Sequence, residues 1–174
     1  NPINSPSNSS SILFSLSTPA DGSTIKTLTS VTGTSLDFGG TVTGVKVSIN
    51  KGGSCWGGSS FNQTCPYFTS NSATNTGTNF STWSFAFPSF TSSATGDSIT
   101  IQTQATSSTS GTETPSSGRT FTFDNVAPTV ALTYTASSVG VGTQTVTATY
   151  SEAVSSAPNI SINQPGTTDI SNVA

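Results

Sequence analysis

Residues 44–50 read Gly-Val-Lys-Val-Ser-Ile-Asn, which puts Val45, Val47 and Ile49 on one phase and Lys46, Ser48 and Asn50 on the other. Successive side chains of an extended chain point to opposite faces, so this alternation marks a strand buried on one face and wet on the other. The same period recurs outward in both directions. Ile12, Phe14 and Leu16 alternate with Leu13 and Ser15, and Pro19-Ala20-Asp21-Gly22 then makes a turn. Downstream runs are Trp83, Phe85 and Phe87, then Ile99, Ile101 and Ala105, then Phe121 and Phe123. No segment keeps a 3.6-residue period over three turns. The expected fold is all-β, with two half-wet sheets facing each other in a sandwich whose shared core includes Trp83, Phe85 and Phe121.

The composition limits what such a sandwich does. The 174 residues hold four Lys and Arg, seven Asp and Glu and no His, for a net charge of -3. Phosphate neutralisation needs clustered cations, so neither nucleic acid nor an anionic membrane surface is an expected partner. Without His and without a C-x-x-C pair, the usual zinc, Ser-His-Asp and Cys-His sites are excluded. Ser and Thr fill well over a third of the chain and replace charge as the source of solubility. Leu, Ile, Val and Phe are scarce, about a fifth of positions and near the level of disordered chains. However, ten Phe, three Tyr and two Trp supply large buried areas per residue, and the apolar positions are strictly patterned.

Cys55 and Cys65 enclose a Gly-rich stretch, GGSCWGGSSFNQTCPYF over residues 52–68. A local disulfide stapling a hairpin loop is expected, which places the chain outside the cell; two free thiols are the alternative. Sequons stand at Asn8, Asn62, Asn79 and Asn159 and permit glycosylation without demonstrating it. The chain opens on Asn1 and has no apolar run near 18 residues, so it reads as a processed or excised segment without a membrane span of its own.

A second unit is expected after Asp124-Asn125-Val126-Ala127-Pro128, where alternation restarts at Val130, Leu132 and Tyr134. Further strands are expected near 146–150, 160–162 and 169–173. The resulting division is an N-terminal extension over residues 1–11, a sandwich over 12–125 and a partial second unit over 126–174. A complete sandwich of this kind needs about seven strands and 100 residues, so the second unit reads as incomplete. Two routes complete it: more of the same polypeptide, or strand donation, with Asn1–Ser11 leading Ile12–Ser17 into a neighbour's open edge.

Four stretches carry a family resemblance: PADGSTIKTLTSVTGTSLDFGGTVTGVKVSI at 19–49, CWGGSSF at 55–61, STWSFAFP at 81–88 and TFTFDNVAPTV at 120–130. Together they resemble the tandem bacterial Ig-like repeats of large extracellular, adhesin-type surface proteins. APTVALTY at 127–134 and TVTATYSEAVSSAPNISI at 145–162 are similar to another such repeat, the match stopping about halfway through it. The resemblance implies an Ig-like β-sandwich followed by a second, incomplete Ig-like unit, with copies of itself or neighbouring Ig-like repeats as partners. ATSSTSGTETP at 105–115 has no Asp or Asn where related repeats often carry them, which removes any calcium role borrowed from that segment.

Few residues suggest chemistry. Asp21, Asp124, Asn125 and Glu152 sit in turns or at the junction and are weak calcium candidates, since calcium wants six to eight oxygens and no D-x-D cluster occurs; ordinary capping is the plainer reading. Asp37 and Asp97 read as turn residues preceding strands. No carboxylate pair is set among cleft aromatics, so no enzyme is expected. Trp56, Phe61 and Tyr67 make the loop aromatic-rich. They either contact a ligand, with Trp56 stacking on a sugar ring or inserting into a partner, or form a small core under the hairpin. Two functions follow. One is a non-enzymatic extracellular module of a bacterial surface fibre, filament or stalk. The other is an adhesin or carbohydrate-binding module that meets a surface glycan or host ligand through the Cys55–Cys65 loop.

Overall fold

The computed structural model describes residues 12–135, 144–156, 158–162 and 170–173, so the expected extension over residues 1–11 and the donor role given to it lie outside the described residues. Those residues are all-β, with one 3-10 turn at Thr78–Phe80. They fall into two compact units that divide between Val126 and Ala127.

The first unit runs, in chain order, through β1 (Ile12–Thr18), β2 (Thr24–Ile25), β3 (Ser30–Asp37), β4 (Val42–Lys51), β5 (Ser54–Trp56), β6 (Phe61–Thr64), β7 (Thr74–Asn75), β8 (Thr82–Ala86), β9 (Asp97–Ser107), β10 (Gly111–Thr112) and β11 (Arg119–Phe123). A four-stranded sheet has the order β1-β3-β8-β7, and a seven-stranded sheet has the order β2-β11-β9-β4-β5-β6 with β10 beside β9. Among the described residues only β2 and β11 pair in parallel. Ile12, Leu16, Val31 and Trp83 from the smaller sheet meet Val45, Val47, Ile49, Ile99, Ile101, Phe121 and Phe123 from the larger, and all are buried. The arrangement is sandwich-like, and the alternating phases place the core as expected.

Trp83 is 1% exposed, and it stands directly opposite Gly33 in the β3–β8 register. A Cβ on Gly33 would run into the indole ring and the Ser15 carbonyl. The bare backbone is therefore the floor on which the largest core side chain lies.

Phe85 departs from the expectation. Its phase is inward, opposite Val31, yet it is only partly buried. β7 pairs only with Trp83 and Ser84, so the next inward position on β8 lies beyond the flanking strand. Phe87 is buried instead, its N–H donating to Thr29. Asp37 ends β3 and opens the turn into β4; it is buried, and Ser107 Oγ donates to its Oδ2 at 2.5 Å while Gly39 N donates to its Oδ1 at 3.0 Å. Asp97 does open β9. Ile12–Ser17, expected as a donated strand, pairs with β3 of its own unit and buries Ile12 and Leu16 there.

Residues 71–75 change sheets. Val47 N donates to Asn71 O at 2.9 Å and Ala73 N to Val45 O at 2.8 Å, after which Thr74 and Asn75 pair with β8 in the other sheet. This segment closes one side of the sandwich. The two poles are set by β9: Asp97 pairs with Phe123 at one, and Ser107 pairs with Val42 at the other.

In the second unit β12 (Val130–Tyr134) pairs antiparallel with β13 (Val146–Tyr150), and β14 (Ile160–Ile162) with β15 (Ile170–Val173). Val130 faces Tyr150, Leu132 faces Ala148 and Tyr134 faces Val146, which puts six apolar side chains on one face of a two-stranded ladder. Val130, Leu132 and Tyr134 stay exposed.

Removing a fully enclosed ring leaves a cavity. We expect Phe121→Ala to cost about 3–5 kcal/mol and Phe85→Ala, at a partly buried ring, clearly less, while Gly33→Ala should cost about 1–3 kcal/mol by overpacking. Urea unfolding of the three variants checks this; equal losses at Phe85 and Phe121, or a neutral Gly33→Ala, would contradict the packing.

Candidate functional site

The hairpin β5–β6 and the chain that returns from it form the region the sequence singles out. Gly52 and Gly53 take φ of 57° and 88°, left-handed values that glycine adopts freely, and turn β4 back into β5 while Asn50 Oδ1 accepts the Gly53 N–H at 2.9 Å. Cys55 then lies buried beside Asn50, and its sulfur is bonded to Cys65 just past β6, with Cα atoms 5.2 Å apart. The expected disulfide is present. Ser48, on the polar phase of β4, is 2% exposed because this loop covers it; its Oγ lies 3.3 Å from Cys55 Sγ and accepts the Tyr67 N–H at 3.0 Å.

Asn71 is the second anchor and was not foreseen from the sequence. It is 1% exposed, and its Nδ2 donates to the Trp56 carbonyl at 2.9 Å and to the Tyr67 carbonyl at 3.4 Å. Its Oδ1 is buried without a partner. One amide thus ties both arms of the loop to the segment that changes sheets. In sequence it is one Asn among many, so no local signal marks it.

The loop aromatics turn inward. Trp56 meets Phe61 edge-on with centroids 5.2 Å apart, Phe61 meets Phe90 at 5.2 Å, and Phe90 meets Phe123 at 5.0 Å. The row runs from the hairpin into the main core, against which Trp56 and Phe61 are partly buried. Lys51 closes it from outside: its Nζ lies 5.5 Å from the Phe61 centroid and 5.3 Å from that of Phe90, and 3.7 Å from Asp97 Oδ2. Tyr67 is half-buried, its hydroxyl 3.3 Å from Ser70 Oγ. The exposed tip, residues 58–60, carries only Gly and Ser.

Two open concavities adjoin this region. One, of 520 Å³, is polar and runs along the Gly52-Gly53 turn beside Asn50, Lys51 and Asp97. The other, of 450 Å³, has Leu28, Phe87, Phe90 and Phe123 in its lining with Lys26 and Asn125 beside them.

The calcium candidates are not drawn into one cluster by the hydrogen bonds they make. Asp21 Oδ1 accepts the Thr120 N–H at 2.7 Å, and Asp124 Oδ1 accepts Val126 N–H at 3.3 Å and Ser92 Oγ–H at 3.4 Å. Asn125 accepts the Ser92 N–H at 2.8 Å and donates to the Phe90 carbonyl at 2.9 Å. Glu152 belongs to the second unit. Among the described residues no three His, Cys, Asp or Glu are grouped so as to hold a metal. Of the sequons, Asn62, Asn79 and Asn159 are exposed, and Asn8 lies outside the described residues. Comparison with known proteins finds no matching family model, no matching curated protein and no matching solved structure.

With the bridge constraining the unfolded chain over a short loop, replacing both cysteines by Ser should lower stability by about 2–3 kcal/mol. The sandwich strands outside the loop should keep their fold, read by near-UV circular dichroism of Trp83. Two thiols that alkylate in native, unreduced protein, or global unfolding of the double variant, would contradict this placement.

Proposed function

We propose that the chain is a non-enzymatic extracellular structural module, an Ig-like sandwich followed by a second, incomplete Ig-like unit, of a bacterial surface fibre, filament or stalk. The Ig-like reading is supported by strand order. Lettered along the chain, β1-β3-β8-β7 reads A-B-E-D, and β11-β9-β4-β5-β6 reads G-F-C-C′-C″, the variable-type pattern, with β2 as a split-off end of the first strand. The antibody hallmarks are replaced: β3 and β9 carry no Cys and β4 no Trp, and the buried Trp83 sits on β8 over Gly33.

The observation that carries the structural reading is the direction of the loop aromatics. A loop built to grip a sugar or a partner presents rings at its rim. Here Trp56 and Phe61 pack against the core, Lys51 covers Phe61, and the tip is Gly and Ser. The disulfide and Asn71 hold that loop against β4, which suits a part that stiffens the sandwich. Outside the cell, where such a bridge persists, a weakly charged hydroxyl surface keeps it soluble.

Trp56→Ala separates this from the adhesin reading. We expect about 1–3 kcal/mol of lost stability, since half of a large ring's packing goes, and no glycan-array or cell-adhesion signal from either form. A wild-type signal abolished by Trp56→Ala at unchanged stability would overturn the structural reading in favour of the adhesin.

A further inference from the structure

Arg119, Phe121 and Phe123 share one phase of β11, and the two rings of that phase are buried in the core. Arg119, the only arginine in the sequence, therefore takes an inward position at the margin of the sandwich, where it is half-buried. Its Nη1 donates to the Pro19 carbonyl at 3.2 Å, and among the described residues its guanidinium makes no ion pair. A guanidinium drawn in between two sheets calls for an anion, which it can hold through two parallel hydrogen bonds.

Beside Arg119 the two sheets leave a slot of 180 Å³. Phe14 and Leu16 of β1 line one side, and Ile101, Thr103, Ser116 and Arg119 of the larger sheet line the other. Phe14 lies on the inward phase of β1 yet is only partly buried, since the slot stands open next to it. Ser116 Oγ accepts the Thr103 N–H at 2.9 Å and the Thr103 hydroxyl at 3.3 Å, and no hydrogen bond among the described residues uses its own proton. The slot thus offers unused donors and apolar carbon, with no carboxylate among its lining residues. That chemistry suits an acid on a short aliphatic stem.

Size and setting name the source of that acid. The volume is below the roughly 300–1,000 Å³ of small-molecule sites and suits a single side chain. Among the described residues β1 pairs only with β3, and its sequence ILFSLST carries neither the charge nor the proline that normally blunts an edge. An extended chain laid along this edge would turn every second side chain inward, towards the slot.

We propose that the slot between β1 and Arg119 receives a glutamate side chain of a neighbouring polypeptide paired along the β1 edge. Its carboxylate would sit on Arg119 and Ser116, and its methylenes on Phe14, Leu16 and Ile101. This rests on the fibre reading, in which modules meet other chains, and names the chemistry of one such contact.

Fluorescence anisotropy of labelled peptides titrated with the full chain tests it. The probe Thr-Val-Thr-Glu-Thr-Val-Thr puts its Glu and both Val on one face. It should bind, and its Gln-centred counterpart should bind weaker by roughly tenfold or more. Arg119→Gln should erase that difference, and Arg119→Glu should favour a Lys-centred peptide instead; an Arg119 that only braces Pro19 would give neither result. Circular dichroism checks folding of both variants, and should they unfold, the wild-type preference for Glu over Gln decides. Equal binding of the two peptides, binding of neither, a preference that survives Arg119→Gln, or free glutarate binding as tightly as the peptide would overturn the proposal. Peptide preference is read in solution and fibres on cells, so its failure leaves the fibre reading standing, whereas intact preference without surface fibres would remove the fibre and keep the slot.

Discussion

Everything in the first unit is arranged around one indole lying on bare backbone. Trp83 occupies the space that a side chain at position 33 would need, and the two sheets close over it with Val31, Val45 and Val47 at zero to two per cent exposure. A chain with so few aliphatic residues cannot fill a sandwich by numbers. It relies on ring size, and a large ring fits between sheets about 10 Å apart only where the facing residue gives way. From that point the packing continues through Phe121, Phe87, Phe123 and Phe90 to Phe61 and Trp56, each ring within 6.1 Å of the next. The disulfide loop is the outer end of this series.

The outside of the sandwich is held together differently. Lys51 pairs with Asp97 at 3.7 Å, at a separation and exposure that make the pair worth little. Cross-strand hydroxyls take the place of charge: Thr100 lies 2.9 Å from Thr120 and Thr106 lies 3.1 Å from Thr112, oxygen to oxygen. The carboxylates of the turns bind backbone, Asp21 on β11 and Asp124 on the turn after it. These contacts fix where the chain exits the sandwich.

Alternation made the strands and their inward phases legible, because burial on one face leaves a period-two record in sequence: Val45, Val47, Ile49, Ile99, Ile101 and Phe121 all lie where that record puts them. The disulfide was legible from two cysteines in a turn-rich stretch. What escaped was decided by neighbours that are distant in sequence. Ser48 sits on a polar phase yet is buried, since the loop folds over it, and Asn71 is buried because it bridges two loop arms. Phe85 is spared burial because β7 is only two residues long. The parallel pairing of β2 with β11 joins residues about a hundred apart and leaves no local signature. At the candidate site, the residue types were readable but the direction in which Trp56 points was not.

We propose that the molecule bears load and sets spacing in a fibre and grips no ligand. Electron microscopy of cells bearing the protein, labelled with an antibody to the sandwich, tests this most directly. Label repeating along thin, unbranched surface fibres is the expected result. Label confined to the tips of appendages, or scattered singly over the envelope, would contradict it.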